Sequence, residues 1–473
     1  VESGCEADAC TRQAATVARA GYSGGASGWQ FACPPPGALP RAPEGSHSKG
    51  KVRTARVFAA LQKHEDVSMS KIEGKAAVSA PVGPPPWTDV GRHGVFPEGK
   101  HDEIARFNFL ASLNLHIATK VFPGNRTAYE NRVLPRAKAE LGREPATRQE
   151  VKRFMEDDEY YRFWSSMRRS YMEMRQENGR AMVLRQADQL AEKARRLNEG
   201  KSTLELDPRV TIPPYQSAVD IHCMPGSYFT EIREGDVSAA ANYDAGIFAT
   251  TGGLLGKFND GGGRAMAAWI ARNLPDFKPR KILELGTGLG HSILPIAKLF
   301  PQAEIWANDV AAPMLRYGHA RAQSMGIANV HFIQENAEKT RFADETFDLV
   351  LTAQFWHETS RKALPIILKE VRRVLKKGGL TLHLEQPPYH TNMPPYDAFI
   401  RDWDAHYNNE PFWTTFHDMK MMEELERAGF EPANCFETTF MMVPEADFGG
   451  EDKMDQGKDF GRGGSWYGFG AWK

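Results

Sequence analysis

The chain has 473 residues, with 59 basic and 60 acidic side chains and a net charge of -1. That balance gives no bulk attraction to nucleic acid or to an anionic membrane. Apolar residues, at 41%, suffice for a buried core, yet no apolar run approaches the ~20 residues of a bilayer span, and the N-terminus lacks the basic-then-apolar order of a secretory signal. Cys5, Cys10 and Cys33 lie near the start, Cys223 and Cys435 far apart in the body, with no CxxC pair and no zinc spacing. A reducing, cytoplasmic setting is expected.

Residues 1–100 are dominated by Gly, Pro, Ser and Ala, with Pro34-Pro35-Pro36 and Pro84-Pro85-Pro86 as stiff punctuation. Such a segment buries too little surface to offset chain entropy, so it reads as a disordered leader. Its first methionine, Met69, is expected to be the natural start. Residues 101–245 read as a helical N-terminal domain ending in a proline-broken linker. Ile104, Phe107, Phe109, Leu110, Leu113 and Ile117 recur near helix spacing, and Thr147 with Glu150 three positions on has the form of a capping box. The basic side chains between 168 and 196 alternate with acids, the pattern of a solvated helix face.

From 246 onward the texture is α/β. Strands are expected at 281–285, 304–308, 330–334, 347–353, 380–385, 435–443 and 465–472. Helices are expected at 290–300, 313–325, 361–375 and 419–428, and a cap at about 390–418. Alternation of this kind predicts a doubly wound, mainly parallel sheet of seven strands with crossover helices.

The first of these strands runs into Glu284-Leu285-Gly286-Thr287-Gly288-Leu289-Gly290. A glycine turn between strand and helix lies where open α/β sheets bind ligands, and glycine admits close backbone approach. A nicotinamide pyrophosphate asks for G-x-G-x-x-G. Here the spacing is G-x-G-x-G, position 291 is His, and Glu284 precedes the first glycine. A carboxylate there suits a cationic ligand better than a pyrophosphate. Asp309 ends the second strand, Asn336-Ala337-Glu338 follows the third, and Lys377-Gly378-Gly379-Leu380 turns the chain into the fifth.

In this order and spacing the elements resemble the class I S-adenosylmethionine-dependent methyltransferases, over about residues 245–473 and most closely over 281–385. The resemblance implies a seven-stranded methyltransferase sheet and S-adenosylmethionine as cofactor. It implies that Gly286, Thr287, Gly288 and Gly290 pack on the methionine part and that Glu284 lies near the ammonium group, partly through water. Asp309, beside Asn308, would accept from both ribose hydroxyls; Asn336 and Ala337 would meet the adenine. Thr352, at the end of the fourth strand, and Tyr243, from an element ahead of the sheet, complete the expected cofactor contacts.

Methyl transfer from a sulfonium is an in-line displacement, which chiefly requires acceptor and methyl to be held ~3–3.5 Å apart. After the fourth strand stand His357 and Glu358, a candidate proton acceptor and its companion. His357 has an equally weighted reading as packing beside the cofactor, and Glu358 reads more as structural. Gln386-Pro387-Pro388-Tyr389 follows the fifth strand and not the fourth, so it is taken as a turn into the cap, with Tyr389 and His390 as candidate pocket residues. Thr352 and Gln354 supply no acidic ligands, and no metal is expected. Tyr396, Phe399, Trp403, Tyr407, Phe412, Trp413 and Phe416 crowd the cap, which points to an apolar or aromatic acceptor or to a lid core. The expectation is methylation of a small molecule, without nucleic-acid or membrane partners. The N-terminal helices would shape the acceptor pocket or a homodimer contact. A protein or RNA methyltransferase, or an inactive cofactor-binding interaction protein, are the alternatives.

Overall fold

A computed structural model of the chain describes residues 83–389, 393–445 and 464–473. The leader over 1–82, the Met69 start and His390 lie outside the described residues. Among the described residues eight strands form one sheet: β1 (Leu204–Glu205), β2 (Lys281–Leu285), β3 (Glu304–Asp309), β4 (Val330–Gln334), β5 (Phe347–Ala353), β6 (Leu375–Glu385), β7 (Cys435–Met441) and β8 (Ser465–Trp472). Their spatial order is β1-β4-β3-β2-β5-β6-β8-β7, parallel throughout except that β8 runs antiparallel to both β6 and β7. The seven expected strands are all present. The eighth, β1, adds two residues to the edge beside β4.

Helices cover both faces, so the central strands are apolar on both sides. Ile282, Leu283 and Leu285 of β2, and Leu349, Val350 and Leu351 of β5, are completely buried. The chain winds from β2 through β3 to β4, then crosses back to place β5 on the other side of β2. That reversal opens a crevice at the carboxyl ends of β2, β3 and β5. The glycine turn, Asp309 and the segment after β5 all lie at those ends.

Two boundaries differ from the sequence reading. Residues 83–100, counted with the leader, are packed against the body. Trp87 is wholly buried, stacked on Phe107 at 5.2 Å, and donates from its indole nitrogen to the Ala245 carbonyl at 3.3 Å. Val95 and Phe96 are buried beside it. The segment lacks periodicity, so a reading based on composition misses it, but the burial of Trp87, Val90, Val95 and Phe96 anchors it. The division expected between 245 and 246 also falls inside a continuous helix, Ser238–Thr251. Phe248 and Ala249 of that helix share one core with Phe107, Trp164 and Tyr171 of the N-terminal helices and with Tyr317 beside the sheet.

The same core includes Tyr396, Phe399 and Trp403 of the cap. The N-terminal helices grip the cap further through Arg126 to Asp397, Arg148 to Asp402 at 2.8 Å, and a 2.8 Å hydrogen bond from the Trp403 indole to Ser165. Thr147 caps its helix as expected, its hydroxyl accepting from the Glu150 amide at 3.2 Å, but the Glu150 carboxylate reaches back to the Ala146 amide at 2.7 Å, one residue before the cap. Among the described residues no helix is long and apolar enough to cross a membrane.

Candidate functional site

A cavity of about 360 Å³ runs from the glycine turn to the N-terminal helices. At one end Gly286, Gly288 and Gly290 adopt left-handed backbone angles of +67°, +53° and +84°, a region that costs a residue with Cβ about 1–2 kcal/mol. The turn is pinned by two hydrogen bonds. Thr287 N–H donates to the Asn308 carbonyl at 2.9 Å, and Gly288 N–H donates to Asp309 Oδ2 at 2.8 Å. Asp309 Oδ1 accepts from Ala311 N–H at 2.9 Å. Burial raises the Asp309 pKa, against the amides of Ala311 and Gly288, which favour its ionised form. Each carboxylate oxygen keeps a lone pair for a further donor.

Glu284 lies at the end of β2, 1% exposed, and accepts a hydrogen bond from the Thr287 hydroxyl. Burial raises its pKa to about 7, with Thr287 opposing and Asp309 adding to the rise. Glu284 stands behind the glycine turn and not on the cavity wall. Asn308, Asn336, Ala337 and Tyr243 do line the cavity. Asn336 Oδ1 accepts from the Glu338 amide at 2.8 Å, and Asn308 Nδ2 donates to the Glu335 carbonyl at 3.1 Å. Tyr243 meets Tyr228 edge to face at 5.6 Å, and burial pushes its hydroxyl up to about 12.

Thr352 is placed differently from its expectation as a cofactor contact. It is wholly buried within β5 and hydrogen-bonded to His383 Nδ1 at 2.9 Å, away from the cavity. Strand alternation turns residue 352 into the sheet packing, while Ala353 and Gln354 next to it line the cavity. Gln354 has a left-handed φ of +55°. Its Oε1 accepts from Gln386 at 2.9 Å, and its buried Nε2 has no hydrogen-bond partner among the described residues. The cap aromatics are mostly core: of the seven, Trp413 alone faces the cavity. Tyr389 is likewise turned away, donating to Asp402 and stacked on His417 at 4.6 Å. The cavity takes its rings instead from Tyr171, Tyr215, Tyr228, Phe229, Tyr243, Phe355 and Trp466.

His357 and Glu358 both reach the cavity, within a chain of charges that sequence reasoning missed. Glu385, the last residue of β6 and wholly buried, holds His357 Nδ1 at 2.7 Å and accepts from the amides of Trp356 at 2.9 Å and Gln386 at 2.7 Å. Glu410 lies 4.0 Å from His357 Nε2 and 3.0 Å from His222 Nδ1. Glu358 pairs with His222 Nε2 at 3.3 Å and accepts from the Tyr228 hydroxyl at 3.2 Å. Burial opposes protonation of His357, but Glu385 above all, with Glu358 and Glu410, overcomes it and raises the pKa to about 9. His222 is likewise opposed by burial and raised to about 10 by Glu410 and Glu358. Both imidazoles therefore carry a proton at neutral pH.

Glu385 was the legible member, a carboxylate closing an apolar strand at the carboxyl edge of the sheet. His222 and Glu410 sit in irregular segments and leave no periodic signal. His291, which stands where a nicotinamide turn would have its third glycine, bonds Asp244 at 2.9 Å; Asp244 also takes His93 at 2.8 Å and the Tyr317 hydroxyl at 2.9 Å.

These charges predict a pH dependence. A histidine whose folded pKa lies above its unfolded value of about 6.5 adds stability that is complete below that value and is lost as pH rises through the folded pKa. The thermal unfolding midpoint is expected to fall as pH rises from about 7 to 10. In Glu385→Gln, the His357 imidazole is expected to titrate lower by about one pH unit or more, followed by nuclear magnetic resonance of the ring protons. An unmoved titration would show that Glu385 does not set the charge of His357.

Residues 282–379 match the family model described as a methyltransferase domain. A demethylmenaquinone methyltransferase of Thermus thermophilus is 36% identical over 123 residues, covering 26% of this chain and 51% of the relative. A ubiquinone/menaquinone biosynthesis C-methyltransferase of Burkholderia multivorans is 32% identical over 162 residues, covering 33% of this chain and 64% of the relative. Among solved structures, a Pyrococcus horikoshii protein is 29% identical, covering 26% of this chain and 52% of that chain with a TM-score of 0.24. The chain thus spans between half and two thirds of the length of these two curated relatives. The glycine turn, the carboxylate that ends β3 and the sheet order belong to an α/β domain of the methyltransferase type. Residues 282–379 are a methyltransferase domain of the class I, S-adenosylmethionine-dependent family.

Proposed function

We propose that the chain transfers the methyl group of S-adenosylmethionine to a small, apolar or aromatic molecule by in-line displacement. One observation carries the reading: a single cavity joins the glycine turn and Asp309 to walls of Tyr228, Phe229, Tyr243 and Trp413. The turn fits the cofactor, because a Cβ on Gly288 would meet no atom within 4 Å and the backbone there is open to a ligand. The cofactor supplies the electrophilic methyl group. Gly286, Thr287, Gly288 and Gly290 hold its methionine end, and Asp309 with Asn308 takes the ribose hydroxyls. Asn336 and Ala337 border the adenine, and Tyr243 covers the reacting end. Glu284 acts from behind the turn, where a cation in front would favour its ionised form.

His357 enters this scheme as a hydrogen-bond donor. Its pKa of about 9 leaves it protonated in the neutral range, so at that pH it orients an acceptor oxygen and does not remove a proton. Glu358 is a positioning residue, since its carboxylate is engaged by His222 and Tyr228. Support for a ring-bearing acceptor comes from the aromatic walls and from relatives named for quinone methylation. The test is incubation with methyl-labelled S-adenosylmethionine and a fractionated cell extract. Label is expected in an organic-soluble small-molecule fraction. Label confined to protein or RNA would overturn the small-molecule reading.

A further inference from the structure

The helix Glu159–Leu184 turns Arg168, Tyr171, Met172 and Arg175 toward the cavity, a spacing of three, four and seven that puts them on one face. The two arginines differ. Arg168 is answered by Asp404 at 3.1 Å. Arg175 is 5% exposed, and among the described residues no carboxylate lies within ion-pair distance of it. One of its terminal nitrogens donates to the Thr250 hydroxyl, and its buried Nε has no hydrogen-bond partner among the described residues. Its stem runs past Gly246, where a Cβ would stand 3.9 Å from Arg175 Cγ.

A guanidinium stays charged at any working pH, and burying an unpaired charge is unfavourable until an anion or its equivalent reaches it. Thr250 supplies one neutral acceptor. The rest of a planar donor fork remains for a ligand, and a carboxylate matches that fork with two parallel hydrogen bonds. The charge of Arg175 bears on Tyr243, which lines the cavity, and on the buried Cys223. It is absent from the influences on Glu284 behind the glycine turn. That placement favours the acceptor's end of the cavity over the cofactor's.

We propose that Arg175 is the seat of an anionic group on the methyl acceptor, so that the acceptor is an aromatic or apolar carboxylate. The assignment rests on the methyltransferase reading. The test is equilibrium binding of naphthalene-2-carboxylate and of its uncharged carboxamide to the full chain saturated with S-adenosylhomocysteine. The wild-type chain is expected to favour the carboxylate by about tenfold or more, as one charged hydrogen-bonded pair gives. Arg175→Met is expected to abolish the preference and Arg175→Lys to keep part of it, both with S-adenosylhomocysteine affinity unchanged, which also certifies folding. Equal binding of both probes by the wild-type chain would overturn the proposal. So would a tenfold loss of S-adenosylhomocysteine affinity in Arg175→Met, which would assign the arginine to the cofactor's own carboxylate. If the wild-type chain fails to bind S-adenosylhomocysteine, the methyltransferase reading falls, and the same two probes on the unliganded chain still decide whether Arg175 seats a carboxylate.

Discussion

Gly286→Val is expected to weaken S-adenosylhomocysteine binding by more than about a hundredfold, because it combines a backbone penalty of about 1–2 kcal/mol with a collision. The residue has a φ of +67°, and a Cβ there would lie 2.1 Å from Phe355 Cδ2. Phe355 lines the cavity and its ring meets the wholly buried Trp356 edge to face at 5.2 Å, so the ring can yield only into the space a ligand would take. Where the ring holds, the turn shifts instead, and with it the Thr287 and Gly288 amides that Asn308 and Asp309 hold. Gly288→Ala is the internal comparison. It carries a similar strain, at a φ of +53°, but meets no protein atom within 4 Å. It is expected to leave the folded chain intact and to act on the ligand alone. Calorimetric titration with thermal unfolding separates the two. Equal, small effects from both substitutions would remove the steric argument.

Asp309→Ala is expected to cost about tenfold to hundredfold in the same titration, the range of one hydrogen bond to a charged group at about 1.5–3 kcal/mol. The carboxylate has two tasks. It accepts from Gly288 and Ala311 at 2.8 and 2.9 Å, which ties the end of β3 to the glycine turn, and it offers its remaining lone pairs to the ligand. Asp309→Asn keeps one carbonyl oxygen and loses the charge, so an intermediate affinity is expected. An unchanged affinity in both variants would place the ribose elsewhere.

Much of this was legible beforehand because a parallel sheet writes itself into sequence. Strands buried on both faces are short apolar runs such as Ile282-Leu283 and Leu349-Val350-Leu351, and crossover helices separate them at regular spacing. The glycine turn and Asp309 were legible for the same reason: they fall at fixed offsets from strand ends. Legibility fails where contacts are long-range and aperiodic. Trp87 anchors the 83–100 segment by packing on Phe107 and Ala245, which no local pattern announces. β1 is two residues long and exists through its pairing with Phe332 and Ile333. The cap aromatics gave a correct sense of density and the wrong destination, because Tyr396, Phe399 and Trp403 face the N-terminal helices. Thr352 was one residue out of register with the cavity, and in a strand one residue changes the face.

The acceptor side shows the same limit in chemical form. His357 was visible as a histidine after the fourth strand, but its charge is set by Glu385 and Glu410, 28 positions away in the first case and in the irregular cap in the second. A histidine read alone suggests a neutral base near its ordinary pKa; with its carboxylates in place it is a cation up to about pH 9.

The most direct test of the account is calorimetric titration of the wild-type chain with S-adenosylhomocysteine and, separately, with a nicotinamide dinucleotide. The glycine turn with Glu284 behind it and Asp309 beside it predicts saturable one-to-one binding of S-adenosylhomocysteine, lost in Gly286→Val, and none of the dinucleotide. Binding of the dinucleotide with no heat from S-adenosylhomocysteine would contradict it.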